Sequence, residues 1–444
     1  MEHLDTVVVG AGISGLTAAK LLVQTGQRAV VLEARDRIGG RVHTDRAGAH
    51  PIDRGASWIH GIHEAPVAQA AGSFGMRMQE FTVGSFQPDG RPIAYFGPDG
   101  GRLSDAEAAA FARDVRACDA ALTRAIAEAS PGTSYAEAVE LALQQCEFGA
   151  QRTDRVREFL QHRTEEQYGA WIGDLDAHGL DDDAIEGDEV VFPDGYDELA
   201  NHIAQGLDVR LQHEVREIHW HPSGVRVVTS QGEFRAEHAI VTVPVGVLKA
   251  GAVFFHPPLP AVVAGALDRL EMNAFEKVFL RFPEKFWPDD VYALRRQGSV
   301  GEWWHSWYDL TGMHGAPTLL TFAAGPCARE TRHWSDERIV GSVMLGLREL
   351  FGAATVDPID ALVTRWQDDP YSRGSYAYMP VGSRTEDHTL LATPIGGVLH
   401  LAGEATWEED PATVTAAMMS GHRAAERVTH RELPISVLWE SPRA

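Results

Sequence analysis

The chain has 444 residues, 44% of them hydrophobic and 23% charged, with a formal charge of −24. That length supplies two or three domains with a sizeable core. The acidic balance speaks against nucleic acid as the main ligand; it is what solubility alone calls for and is compatible with a cationic ligand.

Three scattered cysteines, Cys118, Cys146 and Cys327, form no C-x-x-C and read as reduced thiols. No apolar run reaches membrane-spanning length, so no membrane association is expected. The first strand begins within a few residues of Met1, so no signal peptide is expected and a cytoplasmic location is. The twenty histidines include no H-E-x-x-H. His60 and His63 have no third ligand at a recognisable spacing, so no metal site is expected.

In chain order, Leu4–Val9 (LDTVVV) predicts a buried strand. It runs into Gly10-Ala11-Gly12-Ile13-Ser14-Gly15, a G-x-G-x-x-G. Leu16, Ala19, Leu22 and Val23 recur at helical spacing, and Gly26 ends that helix. Arg28–Leu32 predicts a second strand, closing on Glu33. The βαβ unit with its terminal acid is a dinucleotide fingerprint. Gly10 allows the tight turn, Gly12 lets backbone approach a pyrophosphate, and Gly15 lets helix pack on sheet. The helix N-terminus offers free N–H groups to phosphate. Glu33 suits ribose hydroxyls and repels a 2′-phosphate, which disfavours NADP. FAD and NAD both remain open at this point.

Arg35-x-x-x-Gly39-Gly40-Arg41 then makes a basic turn, either a solvated loop or a source of charge near phosphate. Asp53–Gly61 (DRGASWIHG) gathers small residues, Trp58 and His60, and lets backbone approach a flat ring. Ser104-x-x-Glu107 and Ser134-x-x-Glu137 are capping boxes, predicting helices to about Ala129 and Cys146. A further helix is predicted over Asp154–His162. From Thr164 to Leu207 there are thirteen Asp or Glu and no Lys or Arg, densest at Asp181-Asp182-Asp183. This run reads as a solvated face or as an entry funnel for a polycation.

Val209–Leu211, Val215–Trp220, Val225–Ser230 and Phe234–Val243 return to strand, resuming the first sheet after an excursion. From Lys277 the pattern alternates, with Val278, Leu280 and Phe282 on one face and Lys277 on the other. By pattern alone that lysine is either a solvent-facing strand residue or a functional one. Gly301–Leu310 carries Trp303, Trp304, Trp307 and Tyr308, which suit an apolar tunnel or a packed core equally. Thr318–Ala323 is a further predicted strand. Val398–Leu401 predicts a short strand delivering Gly403 and Glu404 at its carboxyl end, where ligands sit in doubly wound sheets. A helix from about Ala412 to Arg427 follows, and Leu433–Ala444 reads as an extended tail.

These blocks stand in one order: Gly10–Gly15 with Glu33, Arg35-x-x-x-Gly39-Gly40-Arg41, Gly55-Ala56-Ser57-Trp58-x-His60-Gly61, Lys277, Trp366, Gly374-Ser375-Tyr376, and Gly403-Glu404 with Thr413-Val414. The ordered set resembles the flavin-containing amine oxidases, which include polyamine oxidases, monoamine oxidases and lysine-specific histone demethylases. The resemblance runs from Val7 to about Arg427.

It implies an α/β fold: a Rossmann-like FAD-binding domain with a discontinuous α+β substrate-binding domain of the amine oxidase type. The boundaries it suggests are 1–78, 196–265 and 375–432 for the FAD-binding domain, 79–195 and 266–374 for the substrate-binding domain, and 433–444 for the tail. It also makes the dinucleotide FAD. Ser14 and the loop of Gly10, Gly12 and Gly15 would hold the pyrophosphate. Glu33 would bind the ribose, with Arg35, Gly40 and Arg41 nearby, and Val215 would meet the adenine. Ala56, Ser57 and Trp58 would approach the isoalloxazine. Gly403 and Glu404 would contact the ribityl chain, and Thr413-Val414 the pyrimidine. Trp366 would pack along the flavin, and Lys277 would hold a water near flavin N5. Tyr376 would form one wall of a cage around the substrate amine, and His60 a polar substrate contact.

Two departures stand out. Thr415-Ala416 replace the usual His-Gly pair after Val414, and Thr413 stands where monoamine oxidases carry a second cage tyrosine. Ser375 occupies the position at which those enzymes attach flavin through cysteine, so FAD is expected to be non-covalent. The long helical insertion and extra module of the histone demethylases are absent from the sequence, so chromatin work is not expected.

The expected reaction is oxidation of a polyamine or related aliphatic amine by hydride transfer to flavin N5, giving an imine or aldehyde and, with molecular oxygen, hydrogen peroxide. The alternatives are a monoamine or aromatic-amine oxidase, an L-amino-acid oxidase using Arg281, Arg295 or Arg296 on a carboxylate, and a catalytically silent flavin-binding interaction protein.

Overall fold

The structure is a computed structural model that describes residues 4–48, 50–81, 92–179, 187–298 and 303–440. Asp181–Asp183, Gly301 and the last four residues of the tail lie outside the described residues. The chain opens with strand β1 (Leu4–Val9), helix α1 (Ile13–Gln24) and strand β2 (Ala29–Leu32). Side chains along β1 alternate between two cores. Val8 packs with Leu16 and Leu22 of the helix, while Val7 and Val9 pack with Ile218 and Leu399 behind the sheet. A parallel strand covered on both faces needs a run of apolar side chains, which Val7-Val8-Val9 supply. Gly10 takes a φ of 102°, and a Cβ on Gly15 would stand 2.0 Å from the Gly10 carbonyl oxygen. Only glycine meets both demands.

Strand β3 (Ile93–Phe96) belongs to a second sheet. Helices α2 (Asp105–Ala127), α3 (Tyr135–Gln145) and α4 (Ala150–Tyr168) follow. Both capping boxes form as their spacing predicts, Ser104 with Glu107 and Ser134 with Glu137. The third helix is longer than the predicted Asp154–His162 and ends only at the left-handed Gly169. Its last turns bury His162, Thr164 and Glu165, so a hydrophobic pattern does not mark them. The start of the acidic run is therefore helix.

The further strands of the two large sheets are β4 (Asp208–Arg210), β5 (Val215–His221), β6 (Gly224–Thr229), β7 (Gly232–Val241), β8 (Phe254–His256), β9 (Phe275–Arg281), β10 (Ala293–Arg296), β11 (Ser306–Asp309), β12 (Thr318–Ala324), β13 (Asp360–Val363) and β14 (Leu399–Leu401). Helix α5 (Val414–Thr429) comes after them. The first sheet runs β8-β5-β6-β7-β1-β2-β4, with β14 also beside β7. Its centre is parallel, β7 with β1, β1 with β2 and β7 with β14. The second sheet runs β13-β9-β12-β11-β10-β3. Each sheet is thus assembled from segments interleaved along the chain. A small sheet pairs Val190–Val191 with both Trp58–Ile59 and Gln79–Glu80, linking stretches on either side of the suggested boundary at 78.

The tail departs from expectation. Ile435–Leu438 form a single 3-10 turn, and Leu438 is buried in the core beside α1. His422 Nε2 lies 2.5 Å from the Leu433 carbonyl oxygen, and Gln24 Nε2 donates to Val437 O at 2.9 Å. Apolar Leu433, Ile435, Val437 and Leu438 have a core to cover, so the segment folds back rather than extending.

Candidate active site

A cavity of about 1540 Å³ lies between the carboxyl ends of the first sheet and one face of the second. Gly10 follows β1, Glu33 follows β2, Thr242 follows β7 and Gly403 follows β14, and all four line it. Gly12, Ser14 and Gly40 line it too, beside the start of α1. Gly15 does not; it sits beneath the loop against Gly10. A Cβ on Gly12 would meet no protein atom within 4 Å, so the N-terminal turn of α1 faces open space. Ser14 Oγ lies 3.0 Å from Ser420 Oγ of α5, which brings two helix starts to the same wall.

Glu33 is buried, and its two oxygens accept from Ala11 N at 2.7 Å and Arg35 N at 2.9 Å. Arg35 lines the cavity but spends its guanidinium on Asp369, through two bonds of 2.7 Å. Arg41 donates to Glu404 Oε1 at 2.7 Å and to Ser375 O at 3.0 Å. Glu404 Oε2 is buried without a hydrogen-bond partner. Val215, Thr413, Val414 and Thr415 also line the cavity. Thr413 caps α5, accepting from Ala416 N at 2.9 Å and donating to Asp410 O at 2.8 Å.

At the other end, β9 turns Phe275, Lys277 and Phe279 towards one side and Val278 and Leu280 into the core behind it. The expected solvent-facing alternative for Lys277 fails, because the loop of residues 53–57 covers that face. Lys277 is 6% exposed. Its Nζ donates to Asp53 O at 3.1 Å and Gly55 O at 2.5 Å, and contacts Ser57 Oγ. Burial lowers its pKa, against the pull of Asp53. Burial raises that of Asp53, whose carboxylate accepts from Thr44 Oγ1 and Tyr196 N. Trp58 lines the cavity with its ring 5.6 Å from Lys277 Nζ, and Ala56 and Ser57 line it next to them.

Trp366 donates from Nε1 to Arg54 O at 2.9 Å and from its backbone to Glu276 Oε2 at 2.9 Å. The same Glu276 oxygen accepts from Thr364 Oγ1, which in turn accepts from Lys277 N. Tyr376 donates to Gln167 O at 2.8 Å, and burial raises its phenol pKa. His60 sits half-exposed, with Nδ1 2.5 Å from Glu189 Oε1.

Sequence reasoning passed over Glu166 and Glu189 as individuals. Both line the cavity, while the other acids of the run among the described residues do not. Asp176 accepts from Gly382 N, Asp194 pairs with Arg77, and Asp197 pairs with Arg46. The run is therefore neither wholly a solvated face nor wholly a funnel. Phe275 and Phe322 were also missed, although Phe275 lies two residues from Lys277 on the same strand face. Of the aromatic cluster, Tyr308 lines the cavity, whereas Trp304 and Trp307 are core.

A sequence profile of the flavin containing amine oxidoreductases matches residues 13–429. The chain belongs to that family. This amine oxidase is 32% identical over 437 residues to polyamine oxidase 4 of Oryza sativa subsp. japonica, covering 97% of this chain and 89% of that protein. It is 32% identical over 466 residues to lysine-specific histone demethylase 1 homolog 1 of Arabidopsis thaliana. That match covers 99% of this chain but 54% of the demethylase homolog. Its fold is similar to that of a putrescine oxidase bound to putrescine, with a TM-score of 0.78 at 21% identity over 97% of this chain and 100% of that one.

The enzyme is an FAD-dependent oxidoreductase, and its residues fit the cofactor. Open space at Gly12 and two helix starts suit a pyrophosphate. The unpartnered Glu404 Oε2 suits a hydroxyl donor. None of the three cysteines lines the cavity, and Ser375 Oγ donates to Phe275 O, in keeping with non-covalent FAD. Among the described residues no helix is long and apolar enough to cross a membrane.

Proposed function

We propose that this amine oxidase oxidises a polyamine or a related aliphatic amine to an imine, which water hydrolyses, with oxygen as acceptor and hydrogen peroxide as product. The observation that carries the reading is a pair of carboxylates, Glu166 and Glu189, lining a cavity whose reactive end is aromatic. Burial by itself would raise the Glu166 carboxyl. Facing His305 at 2.9 Å, with Arg295 near it, outweighs that and brings it down to about 2. Tyr308 OH adds a donor at 3.1 Å. Glu166 is thus an anion throughout the neutral range and suits a second ammonium of the substrate. The names of the relatives, polyamine and putrescine oxidases, support the same class.

FAD, when bound, supplies the two-electron acceptor for the hydride leaving the substrate α-carbon. The reacting nitrogen must be neutral, since a protonated one has no lone pair to assist. Trp366 and Tyr376 orient it, each ring held by its own hydrogen bonds to backbone. Lys277, its basicity lowered by burial, holds a water at the reacting end by giving up one of its three bonds to the loop of residues 53–57. His60 and Glu189 receive the distal part of the substrate.

The L-amino-acid reading needs a cavity arginine for a carboxylate. Arg281 pairs with Asp360, Arg296 pairs with Glu349 and Arg295 donates to Ser306, and none of the three lines the cavity.

The test is anaerobic bleaching of the flavin by spermine, spermidine, putrescine, an aromatic amine and several L-amino acids. Fast bleaching by the aliphatic polyamines is expected. Glu166→Gln should slow it at sub-saturating spermidine by about tenfold or more, the equivalent of losing ~1.4 kcal/mol of binding. Bleaching only by aromatic amines or amino acids overturns the substrate class. A yellow protein that nothing in the panel bleaches favours the silent-binder alternative.

A further inference from the structure

We propose that Glu217, His219 and His256, on the outer edge of the first sheet, form a surface site for a divalent transition ion of the zinc class. The ligand atoms of the three side chains all lie within 4.8 Å of one another. Glu217 and His219 are two residues apart on β5 and so project from the same face. His256 stands directly beside His219 in the parallel pairing of β5 with β8. The two imidazoles stack, with centroids 4.6 Å apart and planes 23° from parallel. His219 Nε2 already lies 2.8 Å from Glu217 Oε2.

Two imidazoles and a carboxylate are the donors that zinc, nickel and copper ions prefer over calcium or magnesium. Tetrahedral zinc with bonds of about 2.0–2.1 Å needs its donors roughly 3.4 Å apart. The side chains of Glu217 and His219 are 43% and 31% exposed, and His256 is exposed. Rotation about their side-chain torsions closes the remaining gap. The ion takes the place of the proton between His219 and Glu217, and water completes its shell on the open side. Arg226, opposite His219 on β6, opposes a cation, but its guanidinium pairs with Glu233 at 2.9 Å. Arg235 stands opposite Arg226 on β7, one strand further away.

The consequence is mechanical. β8 is a three-residue edge strand held by one neighbour, and Phe254 on it is 61% exposed. An ion bridging β5 and β8 fastens that edge and blunts it as a template for another chain. Val215 at the start of β5 lines the active-site cavity, but Glu217, His219 and His256 do not.

Zinc chloride titrated calorimetrically into chelator-treated holoenzyme tests this, with thermal unfolding followed in parallel. One ion per chain and a zinc-dependent rise in Tm are expected. His256→Ala and His219→Gln should each weaken binding by at least about tenfold and remove the rise. Both variants should keep flavin absorbance and the zinc-free Tm, because the side chains are at the surface. No zinc binding to the wild-type holoenzyme overturns the site. So does binding that persists unchanged in both variants, since the ion would then sit elsewhere.

Discussion

Lys277 is set by which face of its strand is covered. Alternation along β9 separates it from Val278 and Leu280, and an uncovered face would have left it in water. The loop carrying Asp53, Gly55 and Ser57 closes over it instead, and its Nζ finds two carbonyls and a hydroxyl there. Burying an amine costs least when every donor is used and the charge is easily lost. Lys277→Met nearly keeps the chain length and removes the ammonium that faces the rings of Trp58 and Phe279. The variant should retain FAD and slow flavin reduction or reoxidation by roughly 10²-fold, the scale of a lost proton-transfer partner. Stopped-flow rates of both half-reactions check this, and two unchanged rates would take Lys277 out of the mechanism.

At the scale of elements, the start of α5 explains a departure from the family pattern. Thr413, noted in the sequence as standing where monoamine oxidases carry a second cage tyrosine, serves in the structure as an N-cap. A threonine there closes the helix start that lines the cavity, which a tyrosine ring cannot do. Thr413→Ala should cost about 1 kcal/mol and weaken FAD binding, with Thr413→Ser restoring both. Urea midpoints and FAD release on dilution measure the two effects. If Thr413→Ala leaves both unchanged, the cap does not hold the site. Capping boxes were legible in sequence for α2 and α3 because their chemistry is local. The true length of α4 was not, because its final turns bury polar groups whose partners come from other elements. One of these is His162, which stacks on His305 at 3.8 Å.

Across the whole molecule, buried histidines set the acid limit. Burial is the largest cause in lowering His162, His314 and His400 from 6.5 to about 4. The unfolded chain therefore takes up these protons below pH 6.5, while the folded chain refuses them until about pH 4. Stability must fall with pH across that window, by on the order of 3 kcal/mol per histidine at most. Glu166 acts in another window. Its lowered pKa adds stability above pH 4.5, and that is lost only as pH falls through about 2. Urea midpoints of the holoenzyme should drop steadily from pH 6.5 to pH 4. His400→Leu should flatten the slope, since both His400 ring nitrogens are buried without partners. A flat profile from pH 6.5 to pH 4 would contradict the burial argument.

The sequence by itself determined the dinucleotide-binding unit, the capped helices and the family, because each rests on contacts a few residues apart or on an ordered set of short motifs. It also determined which residues to look for around the cavity, and all but Gly15 line it. Only the tertiary structure decided which carboxylates of the acidic run enter the cavity, which aromatics of the cluster around Trp303 to Tyr308 face it, and that the tail folds back on the core. The same holds for His219 and His256, which no spacing rule joins and which strand pairing sets side by side. Composition and period report a residue's own preference for burial. What covers a given face depends on chain that arrives from hundreds of positions away, as Asp369 does for Arg35 and Gly55 for Lys277.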